Sequence, residues 1–129
     1  MTPTLFILLS SGEREKVQMA AMMASVAAVS DRSVEVFVSM SAIQVFGKDR
    51  SPSERYLDDS FSKFLCKAPD AVDLFRQGKE LGDMKLWACS MALDVQGWEI
   101  SNLEEDIFDG PLGLTKFLAD AESGQFVTL

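Results

Sequence analysis

The sequence contains no histidine. This absence excludes catalysis by Ser-His-Asp or Cys-His arrangements, metal binding through imidazole, and acid–base chemistry by imidazole. Cysteine is scarce too, with only Cys66 and Cys89 along the chain. These two residues have neither the spacing of a Cys-x-x-Cys redox pair nor enough partners for a zinc site. We therefore expect two free thiols, no bound metal and no organic cofactor.

Long apolar runs and basic clusters are also missing. No run approaches the ~18 apolar residues of a membrane span, and the start MTPTLFILLSSG lacks the basic segment of a signal peptide. These features predict a cytoplasmic protein. Lys and Arg number 12 against 20 Asp and Glu, giving a net charge of -8. Because nucleic-acid binding depends on basic side chains that neutralise phosphates, we expect neither a nucleic-acid partner nor a membrane partner.

The 129 residues, 47% of them hydrophobic, indicate a single globular domain over residues 1–129. Residues 4–11, TLFILLSS, form a continuous apolar run typical of a strand buried on both faces. Residues 13–30 are rich in helix formers, and residues 33–40, SVEVFVSM, indicate a second strand. A strand, a helix and a strand in this order predict parallel strands joined by a right-handed crossover.

The same alternation continues to the end of the chain. We expect a short helix over 41–47, a surface loop over 48–60, a helix with Pro69 in its first turn, and a strand over 84–88. Ser90 is predicted to cap a short helix, and SNLE, residues 101–104, fits a capping box that would start another. DGPLG, residues 109–113, should break that helix before a further helix and a final strand over 124–129. The pattern predicts an α/β protein with a small, mostly parallel sheet of about four to five strands flanked by helices.

Cys89 occupies a position that suits a reactive thiolate. Ligands of open parallel sheets bind beyond the carboxyl ends of the strands, and Cys89 ends a strand directly before a helix. The first backbone N–H groups of a helix lack partners within it, and its dipole adds positive charge, so a thiolate would be favoured there. Asp94 would oppose this effect if it pointed inward. The alternative is an inert core residue, since free cysteine is among the most buried residue types.

The residues around the strand ends form a predicted pocket with Cys89, because the carboxyl ends of parallel strands meet at one edge of a sheet. Their hydroxyl and backbone N–H groups would steady an anionic sulfur; ordinary turn and capping chemistry is the alternative. Cys66 is either a second, resolving thiol or a residue that packs with Phe61, Phe64 and Leu65. The predicted pocket residues are Ser10, Ser11, Gly12, Ser39, Met40, Ser90 and Met91.

Residues 85–98, KLWACSMALDVQGW, resemble the cysteine segment of the DsrE/DsrF-like family, in which a strand leads to a cysteine and a short helix broken by glycine. LFILLSSGEREKVQMAAMMASVAAV and VEVFVSMSAIQVF are similar to the first strand, long helix and second strand of that family. The resemblance implies a three-layer α/β fold and a sulfur carrier or sulfurtransferase whose persulfide forms on Cys89.

The resemblance further implies donors and acceptors that are proteins or low-molecular-weight persulfides, and a homo-oligomer built as a trimer or a multiple of it. Members without the cysteine act as non-catalytic partner subunits. A non-catalytic oligomerisation or regulatory subunit with an inert Cys89 is therefore the alternative function. A flavodoxin-like binder of a small ligand is a third possibility.

Overall fold

The computed structural model describes residues 2–57, 62–65 and 67–129. Strands and helices alternate along these ranges. In chain order they are β1 (Leu5–Leu9), α1 (Arg14–Val29), β2 (Val34–Val38), α2 (Ala42–Val45), α3 (Pro52–Arg55), α4 (Ser62–Leu65), α5 (Ala71–Leu81), β3 (Met84–Cys89), α6 (Ser90–Gln96), a 3₁₀ turn (Ile100–Asn102), β4 (Gly110–Leu112), α7 (Leu114–Ala121) and β5 (Gln125–Thr128).

The predicted α/β class is confirmed. The five strands form one sheet in the order β4-β3-β2-β1-β5, and every neighbouring pair is parallel. Helices flank this sheet, as in other three-layer α/β proteins. Within the described ranges, no helix combines the length and the apolar character needed to cross a membrane.

One face of the sheet packs against α1 and α5. Ile7, Val36 and Leu86 lie side by side across three strands and are fully buried. The alanines of α1 allow it to approach this face closely, because Ala20, Ala21 and Ala24 are fully buried too. α1 and α5 are joined by the Ser25 hydroxyl, which donates a hydrogen bond to the carbonyl of Leu74 at 2.9 Å.

The opposite face of the sheet packs against α7. Phe117 of α7 is fully buried and stacks on Phe37 with ring centroids 4.9 Å apart. It also meets the edge of Phe6 at 5.7 Å. The strand order explains this position: the chain moves in one direction from β1 to β4 and then returns to pair β5 with β1. A right-handed crossover that runs backward places its helix on the other side of the sheet.

Two predictions between Cys89 and α7 were wrong. The capping box does not involve Ser101 and Glu104; it joins Glu99 and Asn102 and starts only a 3₁₀ turn. The segment predicted to break a helix is the edge strand β4, in which Gly110 pairs with Trp87. A three-residue strand has little pattern of its own, so only its pairing with β3 reveals it.

Two smaller corrections concern helix starts. Pro69 does not lie in the first turn of α5, because Asp70 is the N-cap and its carboxylate accepts a hydrogen bond from the Val72 N–H at 3.2 Å. Asp is among the preferred N-cap residues for this reason. The predicted surface loop over 48–60 contains the helical turn α3, in which the residue after Ser51 is proline, suited to a first helical turn.

Candidate functional site

Cys89 lies at the carboxyl edge of the sheet, beside the ends of two other strands. Ala88 pairs with Val38, and Val38 pairs with Leu9. The next residues along these strands, Cys89, Ser39 and Ser10, therefore follow one another across the edge. The sequence-based expectation that these strand ends converge is consistent with this register. On its other side Cys89 pairs with Leu112 of β4, a neighbour that the sequence pattern did not indicate.

Cys89 is the last residue of β3 and also the N-cap of α6, with extended backbone angles (φ -61°, ψ 117°). The prediction that Ser90 caps this helix was wrong, because Ser90 is already its first helical residue. The amides at the start of an α-helix have no partner within the helix, so they lie next to the residue that caps it. The thiol of Cys89 is free, and the residue is 5% exposed.

Asp94 does not enter the core next to the thiol, because its side chain is exposed. The residues of α6 that do pack inward are Ala92 and Leu93, each 5% exposed. Met91, two residues after the cysteine, is 73% exposed. Of the two residues next to Cys89 in the predicted pocket, Ser90 is half-buried and Met91 lies at the surface.

The serines that end β1 bond to the backbone around them. The Ser10 hydroxyl donates to the carbonyl of Leu129 at 3.1 Å, and the Ser11 hydroxyl accepts from the Glu13 N–H at 3.1 Å. These hydrogen bonds pair backbone groups near the end of β1, and the first of them directs the Ser10 side chain toward β5 and away from β3. For Ser10 and Ser11 the contacts seen are those of turn and capping chemistry.

Gly12 has a steric reason to be glycine. A Cβ at this position would lie 2.8 Å from the carbonyl oxygen of Ser41, closer than such atoms approach. The Gly12 N–H donates to the Ser41 hydroxyl at 3.0 Å, so the loops that follow β1 and β2 are held together. A bulkier residue at position 12 would push apart the loops that follow β1 and β2 at the candidate site.

Met40 follows the end of β2 with a left-handed backbone (φ 52°), a conformation that is uncommon for residues other than glycine. Its side chain is 64% exposed, while its carbonyl accepts a hydrogen bond from the Gln96 side chain at 3.1 Å. Gln96 thus ties the last turn of α6 to the end of β2. Sequence analysis missed this residue, because no local pattern distinguishes it from any other glutamine at a helix end.

Trp87 and Trp98, in the cysteine segment, contact charged side chains of other elements. The Trp87 indole donates to the Glu35 carboxylate at 2.9 Å across β3 and β2. Trp98 follows the C-cap Gly97 and lies under the Arg50 guanidinium, 5.6 Å from the ring centroid. Both rings are half-buried and pack against the hydrophobic core.

Five surface cavities of about 260 to 580 Å³ lie among the described residues, and Cys89 lines none of these five. The same part of the chain holds no group of three or more His, Cys, Asp or Glu side chains placed to bind a metal ion. The predictions for Cys66 and Phe61 concern residues outside the described ranges. Phe64, expected to pack with them, is 78% exposed.

Comparison with known proteins supports the fold. No protein-family model matches the sequence, and no curated protein matches it. A Methanobacterium thermoautotrophicum protein of unknown function, MTH1491, has a similar structure with a TM-score of 0.67 and 14% sequence identity, over 98% of this chain and 99% of that one. The ychN protein from E. coli gives a TM-score of 0.67 at 11% identity, with all of both chains covered. At these identities the similarity concerns the α/β architecture alone.

Proposed function

We propose that this protein is a sulfur carrier, which holds sulfane sulfur as a persulfide on Cys89 and passes it between thiols. The observation that supports this proposal most directly is the position of a free cysteine at the carboxyl end of β3, as the N-cap of α6. This edge is where open parallel sheets bind ligands. The resemblance of residues 85–98 to the DsrE/DsrF-like family supports the same role.

The transfer consists of two exchanges between sulfurs. The Cys89 thiolate attacks the terminal sulfur of a donor persulfide, R–S–SH; the donor S–S bond breaks, the thiolate R–S⁻ leaves, and Cys89 becomes Cys–S–SH. An acceptor thiolate then attacks that terminal sulfur and releases the Cys89 thiolate. Neither exchange needs an added oxidant or a cofactor, because the transferred sulfur keeps its oxidation state.

The burial of Cys89 has two consequences. A residue that is 5% exposed is shielded from over-oxidation, to which exposed thiolates are subject. The same burial limits the access of a donor to the thiol. We assign the reaction to the cytoplasm, where thiols stay reduced, and to a homo-oligomer that meets donor and acceptor proteins or small persulfides.

The test is the intact mass of the folded protein after incubation with polysulfide, followed by desalting. The wild type should gain about 32 Da per added sulfur, and dithiothreitol should remove the gain. Cys89→Ser should gain nothing, whereas Cys66→Ser, the matched control with one thiol left, should behave as the wild type. A gain that persists in Cys89→Ser and disappears in Cys66→Ser would refute the assignment.

The burial of Cys89 also favours a second candidate, a non-catalytic α/β subunit with an inert cysteine. Alkylation distinguishes the two functions. For a sulfur carrier, iodoacetamide should modify Cys89 of the native Cys66→Ser variant within minutes to hours and polysulfide should protect it. If modification occurs only after unfolding in guanidinium, and polysulfide leaves the native mass unchanged, the subunit function holds instead.

A further inference from the structure

A cavity of about 470 Å³ lies beside the carboxyl ends of β1 and β5. It is lined by Leu129, directly after β5, by Glu13, the N-cap of α1, and by residues of α1 as far as Met22. The strand order reverses here, because the chain adds β2, β3 and β4 on one side of β1 and β5 on the other. Open parallel sheets bind ligands beyond the carboxyl ends of their strands at such a reversal. The topology therefore marks this cavity as a place for a ligand.

The wall of this cavity is mainly apolar. Met19 and Met22 of α1, Leu65 of α4 and Leu129 all contribute to it. Flexible methionine side chains adapt to the shape of the molecule that they contact. Cavities of about 300–1,000 Å³ that combine apolar walls with a few polar groups are typical of small-molecule sites. The size and the wall of the cavity therefore suit a small molecule with an apolar body.

Gln18 is a buried polar side chain in the wall of the cavity, with an exposed fraction of 5%. Its amide nitrogen donates a hydrogen bond to the carbonyl of Pro69 at 3.3 Å, and this bond orients the amide. Within the described ranges it is the hydrogen bond that the Gln18 side chain makes, so the amide oxygen remains an acceptor. A buried acceptor without a partner is costly. A donor on a molecule in the cavity would remove this cost.

The charges around the cavity nearly cancel. Glu13 and Lys16 lie 4.0 Å apart and are both half exposed, and Glu15 adds a second carboxylate to the rim. The Arg14 guanidinium lies over the ring of Tyr56, 5.2 Å from its centroid, and Arg14 is not among the described residues that line the cavity. Two carboxylates beside one ammonium do not favour an anion, and exposure to water weakens their attraction for a cation. The surroundings therefore suit an uncharged ligand.

We propose that this cavity binds a neutral small molecule with an apolar body and one O–H or N–H group, which donates a hydrogen bond to the amide oxygen of Gln18. The apolar body packs against Met19, Met22 and Leu129. Cys89 does not line this cavity. The proposal is therefore independent of the chemistry proposed for Cys89, and either can fail without the other.

The first experiment follows, by NMR of the isotope-labelled protein, titrations with indole, which has an N–H donor, and with benzofuran, which has nearly the same shape and no donor. Indole should bind with saturation and shift the side-chain amide signals of Gln18. It should bind about two- to tenfold more tightly than benzofuran, the ratio expected for one hydrogen bond. In Gln18→Leu the ratio should fall to about one, because the acceptor is gone. Benzoate, an anion of similar size, should bind more weakly than indole to the wild type.

The second experiment fills the cavity. Met22→Trp places a large ring in its wall and should abolish saturable indole binding. Val26→Trp is the matched control, because Val26 lies on the same helix and lines only the neighbouring cavity of about 580 Å³, to which Met22 also contributes. This variant should keep the wild-type affinity. Circular dichroism should show the same fold for both variants, since both replaced side chains are exposed.

Four results would overturn the proposal. They are a wild type that does not bind indole with saturation, equal affinities for indole and benzofuran, a ratio that Gln18→Leu leaves unchanged, and loss of binding in Val26→Trp. The last result would place the indole in the neighbouring cavity. If Gln18→Leu does not fold, the comparison of Met22→Trp with Val26→Trp and the preference of the wild type for indole over benzofuran still decide the outcome.

Discussion

Phe117 is the residue on which the packing of α7 depends most, and its truncation makes the sharpest test of the fold. Its ring is fully buried, stacked on Phe37 at 4.9 Å and in edge contact with Phe6 at 5.7 Å and Phe126 at 6.3 Å. Phe→Ala changes in cores cost about 3–5 kcal/mol, and aromatic pairs add about 0.5–1.5 kcal/mol beyond buried area. We expect Phe117→Ala to cost about 4–5 kcal/mol, a large part of the roughly 5–15 kcal/mol that stabilise a domain.

The assay is urea unfolding at one fixed protein concentration, followed by circular dichroism, because assembly would otherwise alter apparent stability. Leu118→Ala is the matched control: the same helix loses a side chain that is 42% exposed, and the cost should stay below about 1 kcal/mol. Phe117→Leu should fall between the two. If Phe117→Ala costs no more than Leu118→Ala, α7 does not pack on this face of the sheet and the reasoning is refuted.

Two further predictions concern a glycine and the single tyrosine. A Cβ at Gly124 would collide with the carbonyl oxygen of Thr4, so we expect Gly124→Ala to lower the free energy of unfolding by several kcal/mol. Gly113→Ala is the control, because a Cβ there would have no neighbouring atom within 4 Å. In the same urea assay it should cost less than about 1 kcal/mol. Burial and the Asp70 carboxylate raise the pKa of Tyr56 well above the ordinary value of about 10. Because the folded state holds this proton more tightly than the unfolded chain, the stability it contributes is complete below pH ~10 and is lost as the pH rises through the folded pKa. The tyrosinate absorbance of the sole tyrosine should therefore appear far above pH ~10, and Tyr56→Phe should reduce the loss of stability in alkali; ionisation near pH ~10 would contradict this.

The central strands could be identified from the sequence because each is buried on both faces. Leu5–Leu9 reads as a short continuous apolar run, and Val34–Val38 is apolar except for Glu35; the structure places both strands within the predicted segments. The same signal placed Cys89 at a strand end, since the apolar run of β3 stops there. The apolar pattern indicates which side chains avoid water, and most residues of β1 and β2 are buried.

The segment between α6 and α7 could not be predicted because its local signals are weak and compete. Gly110 and Pro111 indicate a turn, and only hydrogen bonding to the end of β3 makes them part of a strand. The same pairing holds Cys89 extended beside Leu112 as the N-cap, so that α6 begins one residue earlier than a cap at Ser90 would have placed it. Here backbone pairing between residues far apart in the chain, rather than the turn and capping preferences of the local sequence, decides the structure.

The sequence by itself determined the α/β class, the central strands and the place of Cys89 at one of their ends. Only the tertiary structure decided that α7 covers the face opposite α1, that the Ser10 hydroxyl bonds to Leu129, and that Cys89 is almost fully buried. The physical reason is that an apolar pattern states which side chains leave water, whereas the groups that cover them, or accept their hydrogen bonds, come from distant segments.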